Sequence, residues 1–309
     1  MPLQFRQFVE SQREPLEAAL QEFLPLSSQP QAVRLNEALR YAVFSGGKRW
    51  RPMLTLLGAL LVGGNVSSML PIACAIEFLH TSSLILDDLP AMDDANVRRG
   101  RSATHLVYGE SLALLAALAF LNQSYNLFAR APHNAAKLVE TAARCVGSDG
   151  MIGGQVIDLT LRSGEQDSSD LSSRNLKTTA LLQLTMTAGA IASRASQADT
   201  ESLAQFGEHL GMAYQICDDL LDALGESAPL GKPVGQDIRH DRLNFATELG
   251  ASRARQMALD LIQQGKDTLH RQFGARAEVT LLCEAADLVI QETTQVAVAA
   301  VAPASKQHA

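Results

Sequence analysis

Apolar residues recur along nearly the whole chain three and four positions apart, and the two-residue alternation of a half-buried strand is almost absent. The pattern predicts helices over 3–24, 31–45, 51–63, 69–89, 109–130, 134–146, 148–162, 170–194, 198–224, 250–271 and 276–299. Gly46-Gly47, Gly63-Gly64-Asn65 and Gly225 fall between them, where glycine closes a helix at little cost. Ser163 to Ser173 reads as a polar loop, Pro229 to Asp241 as an irregular stretch, and the tail 303–309 as frayed. The 109–130 segment is apolar on most faces and is expected inside, surrounded by other helices. No repeat or linker interrupts the pattern. The expectation is one large all-α bundle, a single domain over 1–309, with its ligand site built from side chains on facing helices.

Composition narrows the function. With 309 residues, 47% of them hydrophobic, the chain can bury a large core. A net charge of −7 argues against nucleic acid as a bulk partner, while leaving room for local basic clusters that bind a small anion. Cys74, Cys145, Cys217 and Cys283 are scattered, with no CxxC pair, so neither a disulfide framework nor a zinc site is expected. Residues 1–20 are polar and amphipathic, unlike a secretory signal, and the longest apolar run, 112–121, is too short to span a bilayer. These features predict a soluble, cytoplasmic protein without a membrane span.

The chemistry concentrates in two acidic clusters, each following an apolar run: Asp87-Asp88-Leu-Pro-Ala-Met-Asp93-Asp94 and Asp218-Asp219-Leu-Leu-Asp222. Asp218 and Asp222 are one turn apart on one helix face, flanked by Asp219. Pro90 cannot continue a helical ladder and is expected to bend the helix end, swinging the later aspartates round. Crowded carboxylates resist burial and repel, so each cluster calls for a cation, and a magnesium site facing both would suit a polyphosphate. Either cluster alone also reads as a solvated acidic face or turn. Two basic clusters accompany them: Gly46-Gly47-Lys48-Arg49-Trp50-Arg51-Pro52, entering a helix, and Arg98-Arg99-Gly100-Arg101. Alone, these read as surface charge; beside the aspartates they suggest a diphosphate held by metals on one side and arginines on the other. His80, Gly153-Gly154-Gln155, Lys177-Thr178 and Lys232 are weaker signals, readable as a core histidine, close helix packing, a cap and a loop lysine.

Six segments, in order from about Leu35 to Gly250, resemble the trans-isoprenyl diphosphate synthase (polyprenyl synthetase) family. They are GGKRWRP, HTSSLILDDLPAMDDANVRRG, GMIGGQVIDL, LKTTALL, YQICDDLLD and LGKPVGQD. The resemblance implies the all-α isoprenoid synthase bundle and a prenyltransferase of the short-chain farnesyl or geranylgeranyl type. It would condense isopentenyl diphosphate with dimethylallyl, geranyl or farnesyl diphosphate. It implies Asp87, Asp93 and Asp218 as principal ligands of about three Mg²⁺ ions (Mn²⁺ being a possible substitute), supported by Asp88, Asp219 and Asp222. Arg98, Lys177, Thr178, Gln215 and Lys232 would hold the allylic diphosphate; Lys48, Arg51, His80 and Arg99 would hold isopentenyl diphosphate. Lys177 would act with the aspartates in catalysis, and the chain would pair as a homodimer.

Two stretches depart from the family pattern. Asp241-Arg242-Leu243-Asn244 replaces a Gly-Lys-Ser/Thr-Thr run, and Ala117-Leu118 stands in place of a Gly-Asp pair. The product tunnel is expected beside the helix carrying Asp87. There Ser83 and Ser82, four and five residues earlier, are small and leave room for geranylgeranyl rather than farnesyl diphosphate, while Phe78 limits longer chains. A class I terpene cyclase and a non-catalytic subunit of a hetero-oligomeric synthase are the alternatives. A cyclase would leave Lys48, Arg51 and His80 surplus, and a non-catalytic subunit would be expected to lose aspartates that this chain keeps.

Overall fold

The computed structural model describes residues 3–160, 175–223 and 245–301, with side chains from 4 to 291 within those ranges. Gly225, Lys232, the 241–244 departure, both predicted loops (163–173 and 229–241) and the tail 303–309 lie outside the described residues. The elements are α1 (Leu3–Phe23), a single 3-10 turn (Pro30–Ala32), α2 (Val33–Phe44), α3 (Trp50–Leu61), α4 (Val66–Asp87), a two-residue hairpin β1 (Val97–Arg98) and β2 (Arg101–Ser102), α5 (Thr104–Tyr108), α6 (Glu110–Ala129), α7 (Ala135–Val146), α8 (Met151–Thr160), α9 (Leu176–Ala192), α10 (Gln197–Ala223), α11 (Phe245–Leu249), α12 (Ala251–Phe273) and α13 (Ala277–Val301). The all-α expectation holds. The hairpin, pairing Val97 with Ser102 and Arg98 with Arg101, is too short for alternation to reveal.

Helices α3 and α9 are apolar all round because each serves two cores. On α3, Met53, Leu56 and Ala59 face a core shared with α1, α2, α4, α6 and α7, while Leu54, Leu57 and Leu61 face a second core with α10, α12 and α13. On α9, Leu181, Leu184 and Ala188 belong to the first, and Leu182, Met186 and Ala190 to the second. The two helices meet closely enough that the Thr55 hydroxyl donates to the Thr185 carbonyl at 2.9 Å. Helix α4 is likewise buried along its length, starting three residues earlier than periodicity suggests because the Asn65 side chain caps it by accepting from the Ser68 N–H.

Helix α6 departs from expectation. It packs on α4 through Ala113, Ala116, Ala117 and Phe120, yet Leu114, Leu115 and Leu118 are about half exposed, so it is not surrounded. Over its whole length α6, like α4, is long and apolar enough to cross a bilayer by length and composition. For α4 most of that apolar surface is buried inside the protein; for α6 less than half is.

Candidate active site

The first aspartate cluster is shaped by the way α4 ends. Asp87 is its last residue, Asp88 caps it, and Pro90 stops the ladder outright rather than bending it. The chain then folds back: the Asp93 N–H donates to the Asp87 carbonyl at 2.9 Å, that of Asp94 to Leu89 at 3.1 Å, and that of Ala95 to Asp88 at 3.3 Å. A left-handed Asp94, at φ 47°, closes the turn. The six-residue separation of Asp87 and Asp93 thus becomes a local contact.

Both acids of the leading pair are buried and have protein cations against them. The Lys177 ammonium lies 2.7 Å from Asp87 Oδ2. Arg98 grips Asp88, with Nε 2.9 Å from Oδ1 and Nη2 closer still. Burial raises the Asp88 pKa, Arg98 only partly offsets it, and the neighbouring Asp87 and Asp93 add to the rise. Burial also works against the charge on Arg98, but its bonds to Asp88 outweigh that and leave its pKa raised.

The second cluster lies near the end of α10. Asp218 and Asp222 are half-buried, one turn apart on the same face, as the spacing predicts. Asp219 is 5% exposed and turned inward. Its Oδ1 accepts from Gln215 Nε2 and its Oδ2 from the Phe245 N–H, both at 2.9 Å. It therefore fixes Gln215 and the start of α11, a use the sequence pattern did not disclose.

The first turn of α9 joins the two clusters. Lys177 reaches Asp87 on α4, while the next residue, Thr178, donates to Gln215 Oε1 on α10 at 3.1 Å. Gly154 on α8 lets α9 come this close, since a Cβ there would overlap the Lys177 backbone. Gln155, beside it, reaches Met92 in the aspartate turn, with its amide nitrogen 3.5 Å from the sulfur.

A separate basic group forms around the turn before α3. Gly46 and Gly47 have φ of 105° and 123°, and a Cβ on Gly47 would press on the Arg99 guanidinium at 3.0 Å. Arg99 Nη1 donates to the Gly46 carbonyl at 2.9 Å. Lys48 is exposed, its ammonium 5.6 Å from the Trp50 ring centre. Arg51 Nη1 is 3.3 Å from His80 Nε2, within reach to donate to that nitrogen in the tautomer that leaves it unprotonated. Arg51 Nε is buried without a hydrogen-bond partner, a donor left to be satisfied, and desolvation lowers the pKa of this arginine. Arg51 and His80 thus meet between α3 and α4, with Lys48 and Arg99 flanking the Gly46-Gly47 turn, while Arg98, Lys177, Thr178 and Gln215 gather around the aspartates. Arg49, by contrast, is 4% exposed and bonded to Glu77, Glu17 and the Val43 carbonyl. Burial opposes its charge, and the two carboxylates outweigh that and raise its pKa.

The donor set for a metal is carboxylate oxygen, which suits Mg²⁺ or Mn²⁺. Among the described residues no three acids, histidines or cysteines converge into a ready-made cage. Magnesium takes one or two carboxylates and completes its shell with water and substrate phosphate.

The model of the polyprenyl synthetase family matches residues 32–279. This chain belongs to the polyprenyl synthetase family. Family membership carries the reaction class, prenyl transfer of the short-chain trans-prenyl diphosphate synthase type. This synthetase is 35% identical over 278 residues to the heterodimeric geranylgeranyl pyrophosphate synthase large subunit 1 of Arabidopsis thaliana, covering 86% of this chain and 74% of the relative. It is 34% identical over 292 residues to the farnesyl diphosphate synthase of Geobacillus stearothermophilus, covering 91% and 97%. The crystal structure of an FPP/GFPP synthase from Zymomonas mobilis superposes with a TM-score of 0.81 at 30% identity, covering 94% of this chain and all of that one. The all-α isoprenoid synthase fold of the synthetase follows.

The residues expected to set chain length all lie on α4, and two of them, Ser82 and Phe78, meet α6. Ser82 is 3% exposed, and its hydroxyl donates to the Ala117 carbonyl at 2.9 Å. Ser83 donates to the His80 carbonyl at 2.8 Å. One turn deeper, Phe78 stacks on Phe120 of α6 with centroids 5.4 Å apart. Phe120, on the facing helix α6, could not be named from the sequence, which does not show which helix meets α4. The Ala117-Leu118 departure puts a backbone acceptor under Ser82 and an exposed leucine beside it.

Proposed function

We propose that this polyprenyl synthetase condenses isopentenyl diphosphate head-to-tail with dimethylallyl, geranyl and farnesyl diphosphates, making geranylgeranyl diphosphate in preference to farnesyl diphosphate. The observation that carries the reading is the first turn of α9, where Lys177 meets one aspartate cluster and Thr178 meets the residue that orients the other. Both clusters thereby border one cationic entry. Asp87, Asp93 and Asp218 would hold Mg²⁺, or Mn²⁺ in its place, with Asp88 and Asp222 beside them and Asp219 acting through Gln215 and α11. Magnesium, when bound, would draw charge onto the departing diphosphate. Arg98, Lys177, Thr178 and Gln215 would grip the allylic diphosphate, joined by Lys232 from outside the described residues. Lys48, Arg51, His80 and Arg99 would grip isopentenyl diphosphate, whose double bond attacks the allylic carbon. The departed diphosphate can accept the proton then lost, so no protein base is required. The apolar walls from α4 and α6 would keep water from the allylic cation.

Small Ser82 and Ser83 favour the longer product, with the Phe78–Phe120 stack as its floor. The exposed Leu106, Val107, Leu114, Leu115 and Leu118 on α5 and α6 support a homodimer. A second copy suits that stripe better than a bilayer, because Asn122, Gln123, Ser124 and Asn126 interrupt α6 further along. The cytoplasm is the proposed location, where scattered cysteines stay reduced.

Labelled isopentenyl diphosphate, Mg²⁺ and each of the three allylic diphosphates in turn test the reading through product analysis. Elongation ending mainly at geranylgeranyl diphosphate is expected. Absence of elongation, or a cyclic hydrocarbon formed from a linear prenyl diphosphate alone, would overturn it.

A further inference from the structure

Glu77 is a carboxylate in the wrong place for a solvated acid. It lies in the middle of α4, between Ile76 and Phe78, and is 2% exposed. A buried carboxylate without a partner is strongly destabilising. Glu77 answers that cost with two arginines from different elements. Its Oε1 is 2.7 Å from Arg49 Nη1 and 3.7 Å from Arg99 Nη2. Arg49 precedes α3 in a left-handed conformation, at φ 54°, and also holds Glu17 on α1 and the Val43 carbonyl on α2. Arg99 follows the first strand of the hairpin, also at positive φ, and donates to the Gly46 carbonyl. One carboxylate therefore ties α1, α2, the turn before α3, α4 and the hairpin together.

The balance of charge around it is uneven. Among the described residues, Arg49 is matched by Glu77 and Glu17, whereas the carboxylate beside Arg99 is Glu77 at the longer distance, with Arg49, Arg51 and Arg98 all repelling it. Removing the charge of Glu77 would leave Arg49 and Arg99 facing each other without the negative group between them. The contact to the Gly46 carbonyl alone would then have to hold Arg99 against that repulsion. Glu77 itself is sealed from solvent, so it is placed to act through Arg99 rather than to touch an anion.

We propose that Glu77 is a positioning residue for the second diphosphate grip: it holds Arg99 against the Gly46-Gly47 turn in the geometry that receives isopentenyl diphosphate. This rests on the assignment of Lys48, Arg51, His80 and Arg99 to that substrate. Of the allylic grip, Lys177, Thr178 and Gln215 stand on α9 and α10, and Arg98, although it neighbours Arg99 on the hairpin, is held by Asp88 rather than by Glu77.

The test is a split between substrates. Glu77→Gln keeps shape and an acceptor for Arg49 but removes the charge. It should raise KM for isopentenyl diphosphate about tenfold while KM for the allylic diphosphate and kcat stay within about twofold. Glu77→Asp keeps the charge the core needs and draws it back from Arg99, so it should show the same split even if the glutamine variant does not fold. In an Arg99→Gln background, either change should add little to KM for isopentenyl diphosphate. Equal rises for both substrates, no rise, or full additivity with Arg99→Gln would overturn the positioning role. Failure of the wild-type protein to elongate at all would instead overturn the substrate assignment, and the inference with it.

Discussion

Asp218 and Asp219 are neighbours with opposite surroundings, and substitutions should separate their uses. Asp218→Ala removes a half-buried carboxylate on the face shared with Asp222. It should lower kcat by about 10³-fold with melting nearly unchanged, as read by steady-state kinetics and thermal unfolding. Near-normal turnover would remove Asp218 from the metal set. Asp219→Ala takes the acceptor from the Phe245 N–H and from Gln215 Nε2, leaving Gln215 held by Thr178. It should cost about 1–3 kcal/mol of stability in denaturant titration, a loss the Asp218 variant should not show. The contrast was half legible in the chain. Spacing put Asp218 and Asp222 on one face, but only the buried Ile216 and Leu220 hint that Asp219 points inward. Glu77 was legible in another way, as the one acidic or basic side chain apart from His80 between Met69 and Leu86. A lone acid in such a run signals a buried pair, though nothing in one sequence names its partners.

At the scale of elements, periodicity located the long helices because each keeps an apolar stripe over several turns. It could not locate the hairpin of two-residue strands or tell a stop from a bend at Pro90, since both depend on hydrogen bonds across the turn. The Phe78–Phe120 contact was hidden for the same reason, because it joins α4 to α6. Product length tests that pairing. Ser82→Phe would force a ring into the space against Ala117 and should shift products to shorter chains. Phe120→Ala should shift them longer, at a stability cost of about 3–5 kcal/mol. Chromatography of the dephosphorylated products distinguishes the cases, and unchanged products from both variants would rule out α4–α6 as the floor.

For the whole molecule, mean apolarity misled in one respect. A helix rich in leucine was expected to be enclosed, yet α6 is covered on the α4 side and open on the other. Sequence periodicity reports how much apolar surface there is, whereas enclosure depends on how many neighbours arrive. Replacing Leu115 and Leu118 together by Glu should convert a dimer to monomer in sedimentation velocity, with helical content retained in circular dichroism. A dimer that persists would move the interface elsewhere. The two cores, sharing α3 and α9, were not legible at all, because membership depends on which face of an all-apolar helix meets which partner.

Lys177 and Thr178 are consecutive, so their directions around α9 differ by about 100°. One points to α4 and the other to α10. The separation between the two acidic clusters is therefore indexed by the rotation of a single helix. A residue inserted just after Thr178 would keep every side chain of the motif in the sequence, yet turn the pair away from the rest of α9 by that same angle. The fold could absorb such a change only by unwinding a turn, so the frame of α9 at its start is as much a part of the site as the residues that touch it.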